Sequence, residues 1–302
     1  MSPLLSVPLR IILFFFGLLA AALPRGAELF LGRRLGRLAF ALGLFRRRIV
    51  LENLRNGYPE LDAGARTELA RRNYEHYGLL LFEYMHFFSP AKGHYRSYMA
   101  RHSVVEGFAH WERARDKGKG VIFVAAHVGY WEMLAAAGAL AGIPLTIVTT
   151  ILKPAWLHKL FTEQRLSTGV RPALHPGSMS TVLRALRKKE AVAFMNDQYA
   201  GAPMGVPVRF FGVKVATLAA IGPLAKRTGA AVIPAYTYRD PKGISHIVIE
   251  PELDFGPALE STEAATQVLA SRVEQWVRRH PEQWLWIHRR FKHVDWSDRR
   301  DG

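Results

Sequence analysis

The stretch GVIFVAAHVGYWEMLAAAGALAG, residues 120–142, changes its period partway along. Val121 to Val124 form an unbroken apolar run with the length and β-branched character of a buried strand. The part from Tyr130 onward continues as a helix that Gly142 closes. Between them stand His127 and Gly129, the glycine permitting the sharp bend that a strand-to-helix junction needs. A strand apolar on both faces is buried on both, so helices have to cover it from either side. The same texture repeats downstream, with strands expected over 120–127, 144–150, 191–196, 230–238 and 245–253, and helices near 130–141, 154–168, 178–188, 215–228 and 262–279. This order predicts an α/β fold whose mostly parallel or mixed sheet carries helices on both faces.

The first hundred residues read differently. PLLSVPLRIILFFFGLLAAAL, residues 3–23, is broken only by Arg10 and is close to the roughly 20 residues a helix needs to cross a bilayer. Small residues in AAALPRGA fit a cleaved signal, but Arg10 sits late for a signal's basic region. Arg25, Arg33, Arg34, Arg37, Arg46, Arg47 and Arg48 follow, a density that resists translocation and suits the cytoplasmic side. The expectation is an uncleaved membrane anchor over residues 1–25, spanning or lying in the interface, and one domain over 26–302. Arg10 then has to reach headgroups or find a partner. Residues 27–45 read either as a basic amphipathic helix on an anionic membrane or as an ordinary packed helix. A helix from Arg46 stops at Gly57 and Pro59, and another runs over 62–86 from a cap at Asp62. Glu83 and His86 form an E-x-x-H pair like half of a di-iron site; no second pair accompanies it, so no metal is assigned.

A formal charge of +16 favours nucleic acid, anionic lipid or another acidic partner. The basic residues adjoin an apolar segment instead of forming a stripe with stacking aromatics, which disfavours nucleic acid. Without cysteine there is no disulfide, zinc–thiolate site or thiol nucleophile. The nucleophile elbow G-x-S-x-G, the P-loop and the G-x-G-x-x-G fingerprint are missing too.

His127 and Glu132 are the candidate catalytic residues. On one continuous helix a five-residue spacing would set them about 140° apart. Placed at a strand's C-terminal end and in a helix's first turn, they can fold back toward each other, at the edge where open α/β sheets bind ligands. A carboxylate beside an imidazole fixes its tautomer and supports the imidazolium, so the pair makes sense as a general base with its charge partner. The helix N-terminus offers backbone N–H groups to a developing anion. The competing reading is a first-turn glutamate placed for the helix dipole and a structural histidine.

AAHVGYWEM resembles the H-x4-D/E motif of membrane acyltransferases, in the form found in the bacterial lipid A late acyltransferases, the lauroyl and myristoyl transferases of lipopolysaccharide biosynthesis. RRRIVLENLRNGYPEL, AVAFMNDQYAGAPMGVPVRFFGV, GAAVIPAYTYR and HPEQWLWIHRRFK are similar to further stretches of that family, in the same order. The resemblance implies a glycerolipid-acyltransferase-like mixed sheet flanked by helices, on the cytoplasmic face of a bacterial inner membrane. It implies transfer of a fatty acyl chain from an acyl carrier protein or acyl-CoA thioester to a hydroxyl of a lipid A precursor, with His127 as base and Glu132 as charge partner. Arg165, Asn196, Asp197 and Gln198 fall at positions that would bind substrate, and this base chemistry calls for no metal or organic cofactor. Arg289 and Arg290 stand where they would meet phosphates or solvent. Acceptors such as a phosphatidylinositol mannoside, and a non-catalytic membrane or nucleic-acid-binding protein, are the alternatives.

Overall fold

The computed structural model describes residues 3–299. Four helices come first: α1 (Pro3–Ala22), α2 (Arg25–Ala41), α3 (Arg47–Gly57) and α4 (Ala63–Met85). Asp62 caps α4 by accepting the Ala65 N–H at 2.7 Å. Then follow α5 (His94–Arg101), β1 (Ser103–Glu106), α6 (Phe108–Asp116), β2 (Val121–Ala125), α7 (Trp131–Leu140), β3 (Leu145–Thr150), α8 (Ala155–Thr168), β4 (Arg171–His175), α9 (Ser178–Arg187) and β5 (Ala191–Met195). After them come β6 (Gly205–Phe210), β7 (Val213–Leu218), α10 (Ile221–Thr228), β8 (Ala231–Arg239), β9 (Ser245–Ile249) and α11 (Thr262–Arg279). A largely irregular segment then runs past the ends of β2 and β8.

Seven strands form one sheet in the order β1-β9-β8-β2-β5-β3-β4. Only β8 and β9 pair antiparallel; the other neighbours are parallel, so the sheet is mixed. β2 is buried at every position and lies at the centre, as its unbroken apolar run requires. One face packs under α9, α10 and α11 around Val124, Val192, Leu224 and Leu269. The other packs under α6 and α7 around Phe123, Ile233, Leu134 and Ile249.

The departures from the expected elements have local causes. β4 is RPALH, whose Pro172 disguises it; the strand is at the sheet edge, where a missing N–H costs no ladder bond. The segment expected as a helix over 215–228 is half strand: VKVATL alternates buried and partly exposed positions and pairs antiparallel with β6, and the helix begins only at Ile221.

Among the described residues no helix is long and apolar enough to cross a membrane, so the spanning form of the expected anchor is not supported. α1 instead exposes Phe14, Phe15, Phe16, Leu18 and Leu19. Arg10 has found a partner within the protein, its guanidinium lying 5.2 Å from the centre of the Trp156 ring on α8. α2 is a packed helix on one side and a basic apolar surface on the other. A Cβ on Gly36 would meet the Tyr74 carbonyl oxygen at 2.1 Å and one on Gly78 the Gly32 oxygen at 2.0 Å, so α2 and α4 cross nearly backbone to backbone. Phe30, Leu31, Leu35 and Leu38 remain exposed, beside exposed Arg34 and Arg37.

Candidate active site

β2 delivers its chain to the carboxyl end of the sheet's parallel strands, and the turn after it decides where His127 looks. Gly129 has φ +61°, and a Cβ there would lie 2.5 Å from the Thr237 carbonyl oxygen at the end of β8, so only glycine turns this tightly against the neighbouring strand. The Gly129 N–H donates to the Gln283 carbonyl at 3.0 Å, and Val128 bridges Trp284, so the C-terminal segment straps the turn down.

Held this way, His127 meets Asp197 from the loop after β5, the strand beside β2. The His127 Nδ1–H donates to Asp197 Oδ1 at 2.8 Å, and the His127 backbone N–H to Oδ2 at 2.8 Å. The Trp284 indole N–H also donates to Oδ2, at 2.8 Å. A carboxylate only accepts, so the nitrogen on this edge of the ring, Nδ1, carries a proton, and in the neutral imidazole the free lone pair is the one on Nε2. Burial by itself pushes the Asp197 carboxyl up, but the His127 charge and these donated hydrogen bonds outweigh it and hold the group at about 2.

Glu132 is buried in the first turn of α7, but it does not reach His127. Its Oε1 accepts from Arg165 Nη2 at 2.7 Å and its Oε2 from Arg165 Nε at 3.1 Å. The expected His127–Glu132 pairing is thus replaced by two pairs, His127 with Asp197 and Arg165 with Glu132. The turn at Gly129 swings the imidazole toward β5, while the first turn of α7 aims Glu132 at the last turn of α8. Burial would lower the Arg165 guanidinium, yet Glu132 holds it above its ordinary value, so the guanidinium keeps its charge.

Both His127 and the Glu132–Arg165 pair line the mouth of a cavity of about 230 Å³. Its floor is one face of the sheet, where alternate residues Phe123 and Ala125, Ala193 and Met195, and Leu145 and Ile147 point the same way. Its roof is α7, with Leu134, Ala135 and Gly138, and its far wall includes Ile143, Ile247 and Ile249. The mouth is polar and the depth is apolar. Trp131 stands at the mouth with its ring 5.0 Å from that of His127.

Of the four expected substrate-binding residues, Arg165 and Gln198 line the cavity. Asp197 lies behind His127, and Asn196 is buried just past β5, donating its backbone N–H to the Ala125 carbonyl. Arg290, expected toward phosphates or solvent, is only 1% exposed, which corrects that placement. Trp284, which completes the shell around Asp197, carries no periodic signal in the sequence that would mark it. Glu83 and His86 are also occupied otherwise: Glu83 accepts from Arg25 and Arg239, while His86 pairs with Glu28 at 2.7 Å and His94 at 2.8 Å. Among the described residues no three potential metal ligands converge.

Comparison with known proteins gives the chain a family. Residues 2–293 match the family described as bacterial lipid A biosynthesis acyltransferase. The chain is similar to the lipid A biosynthesis lauroyltransferase of Escherichia coli K12, 29% identical over 280 residues that span 91% of this chain and 88% of that protein. It is 30% identical over 294 residues to the palmitoleoyltransferase of the same organism, spanning 93% and 91%. A phosphatidylinositol mannoside acyltransferase of Mycobacterium tuberculosis (CDC 1551 / Oshkosh) is 29% identical over 205 residues, 65% of this chain and 62% of that protein. A match that runs through both strand ends, the cavity and the C-terminal strap shows that the chain belongs to the bacterial lipid A biosynthesis acyltransferases.

Proposed function

We propose that this acyltransferase moves a fatty acyl chain from an acyl carrier protein or acyl-CoA thioester to a hydroxyl of a lipid A precursor, with His127 as general base and Asp197 as its charge partner. The observation that carries the reading is the Nδ1-bonded imidazole at the mouth of an apolar cavity. The acyl chain lies in the cavity with its thioester carbonyl at the mouth. Nε2 of His127 takes the proton of the acceptor hydroxyl as its oxygen attacks the carbonyl carbon. The tetrahedral intermediate collapses, the C–S bond breaks, and the imidazolium returns the proton to the departing thiolate. The first turn of α7 and the Arg165 guanidinium supply positive potential to the oxyanion. Glu132 serves by holding Arg165 against the mouth. Gln198 is the acceptor-facing polar residue.

The enzyme works at the cytoplasmic face of the bacterial inner membrane. α1 and α2 lie in the interface, their exposed phenylalanines and leucines among the acyl chains and Arg34, Arg37, Arg46 and Arg48 at anionic headgroups. The test is mass spectrometry of membrane lipids from a host lacking its own late acyltransferases, expressing wild type or His127→Ala at matched levels. An added acyl mass on lipid A with the wild type alone is the expected result. If neither protein changes lipid A, the acceptor is wrong, and the relative acting on phosphatidylinositol mannosides names the next class to assay. If both change it equally, the role of His127 is wrong.

A further inference from the structure

Arg290 is a buried cation behind the site that neither the proposed chemistry nor the surface explains. It is 1% exposed, and its ring-facing side lies 5.0 Å from the centre of Phe210. Nη1 donates to the carbonyl oxygens of Gln198 at 2.9 Å and Ala216 at 2.8 Å, and Nη2 to the Thr217 hydroxyl. These are neutral oxygens. A guanidinium buried against neutral partners is expensive, because their dipoles only partly replace water around a full charge. Its contact with Gln198 places it one residue along the chain from Asp197, and Asp197 is the carboxylate whose field it feels.

We infer that Arg290 is a positioning residue whose buried charge balances Asp197 and thereby sets how tightly the His127–Asp197 pair holds its proton. The inference rests on the reading of His127 as base. Its contacts also tie the loop after β5 to the β6–β7 hairpin, which keeps Asp197 beneath the imidazole. A carboxylate left without that counter-charge binds the proton of its histidine more strongly, so the base is free only at higher pH. Burial lowers the Arg290 guanidinium to about 10, which leaves it charged at neutral pH. Other charged or titratable groups around the pair include His288, which feels Asp197, His127, Arg290 and Arg46, and the Glu132–Arg165 pair across the mouth. That last pair is internally neutral. His288 is pushed down by burial, which leaves it uncharged and Arg290 as the fixed counter-charge.

The experiment is the pH profile of kcat and KM for purified wild type, His127→Ala, Arg290→Gln and Arg290→Lys, with folding checked by circular dichroism. Arg290→Gln should lower kcat about tenfold or more at neutral pH, leave KM for the thioester within about twofold, and move the acid limb to higher pH. Arg290→Lys, which keeps the charge and loses the fork of hydrogen bonds, should keep the wild-type limb. A folded Arg290→Gln with an unmoved limb overturns the proposal and leaves Arg290 as a fastener. If the glutamine variant does not fold, the lysine variant decides: a wild-type limb with kcat within about tenfold supports the charge, and a moved limb or a larger loss overturns it. His127→Ala with wild-type activity would instead remove the base reading itself, whatever Arg290 does.

Discussion

Two buried carboxylates stand within the same small site, and they differ in what they hold. Asp197 grips an imidazole and Glu132 grips a guanidinium, with contacts of nearly the same length, 2.8 Å and 2.7 Å. The partner decides the chemistry. An imidazole can exchange its proton near neutral pH, so Asp197 sits behind the proposed base, whereas a guanidinium keeps its proton throughout the physiological range, so Glu132 anchors a fixed positive charge. One pair can move a proton and the other can only stabilise one charge. A motif spaced as H-x4-E therefore names two residues of one site that work in different pairs.

The comparison breaks most decisively at the imidazole. His127→Ala should reduce kcat by roughly 10²- to 10⁴-fold, read by acyl transfer to lipid A in detergent micelles. Activity within tenfold of wild type would mean that the proton leaves by another route.

Asp197→Asn tests the first pair from behind. It retains the shape but presents an amide that favours the other imidazole tautomer, and we expect a loss of about 10²- to 10³-fold. It also carries a stability signature. Asp197 is held at about 2 against an ordinary 3.8, so its contribution, on the order of 2 kcal/mol, is present above about pH 4 and is lost as the pH falls through the folded value. The difference in melting temperature between wild type and Asp197→Asn should accordingly shrink between pH 4 and pH 2; a constant difference would show that the charge is not what stabilises.

The second pair should show the opposite balance, a stability effect larger than its catalytic one. Glu132→Gln or Arg165→Met alone leaves a buried charge unpaired and should cost about 3–5 kcal/mol, with kcat falling roughly tenfold. The double variant should recover much of the stability without recovering kcat, and thermal melts of the three variants beside their rates test this. Equal catalytic losses for Glu132→Gln and Asp197→Asn would erase the distinction between the pairs.

The smallest expected effect lies deepest in the cavity. A Cβ on Gly138 meets only the Ile143 side chain, at 3.7 Å, so the backbone tolerates a larger residue while the cavity loses volume. Gly138→Leu should keep kcat for a short acyl donor within about threefold and reduce it for the longest accepted one, measured across a series of acyl thioesters. An unchanged chain-length profile would place the acyl chain elsewhere.

Much of this was legible from residue order. The central strand announced itself because β2 is buried on both faces, and so every position of its run is apolar. His127 stood out because a polar residue closes that run. The edge strand β4 and the strand β7 were hidden, one by its proline and one because VKVATL leads directly into a helical pattern. The N-terminal segment read as long enough to span, whereas in the fold α1 packs its Gly17 and Ala20 side and exposes phenylalanines on the other.

What the sequence determined by itself is the set of local periods, hence the strands, the helices and the junction that carries His127 to the carboxyl end of its strand. Which carboxylate the imidazole meets was decided by tertiary structure alone. β5 is 70 residues further along and becomes the neighbour of β2 only through parallel pairing, and Trp284 arrives from the far end of the chain to hold the same carboxylate. Local spacing fixes an angle around a helix or along a strand; it carries no information about which distant strand end packs alongside, because that depends on how all the apolar faces are buried together.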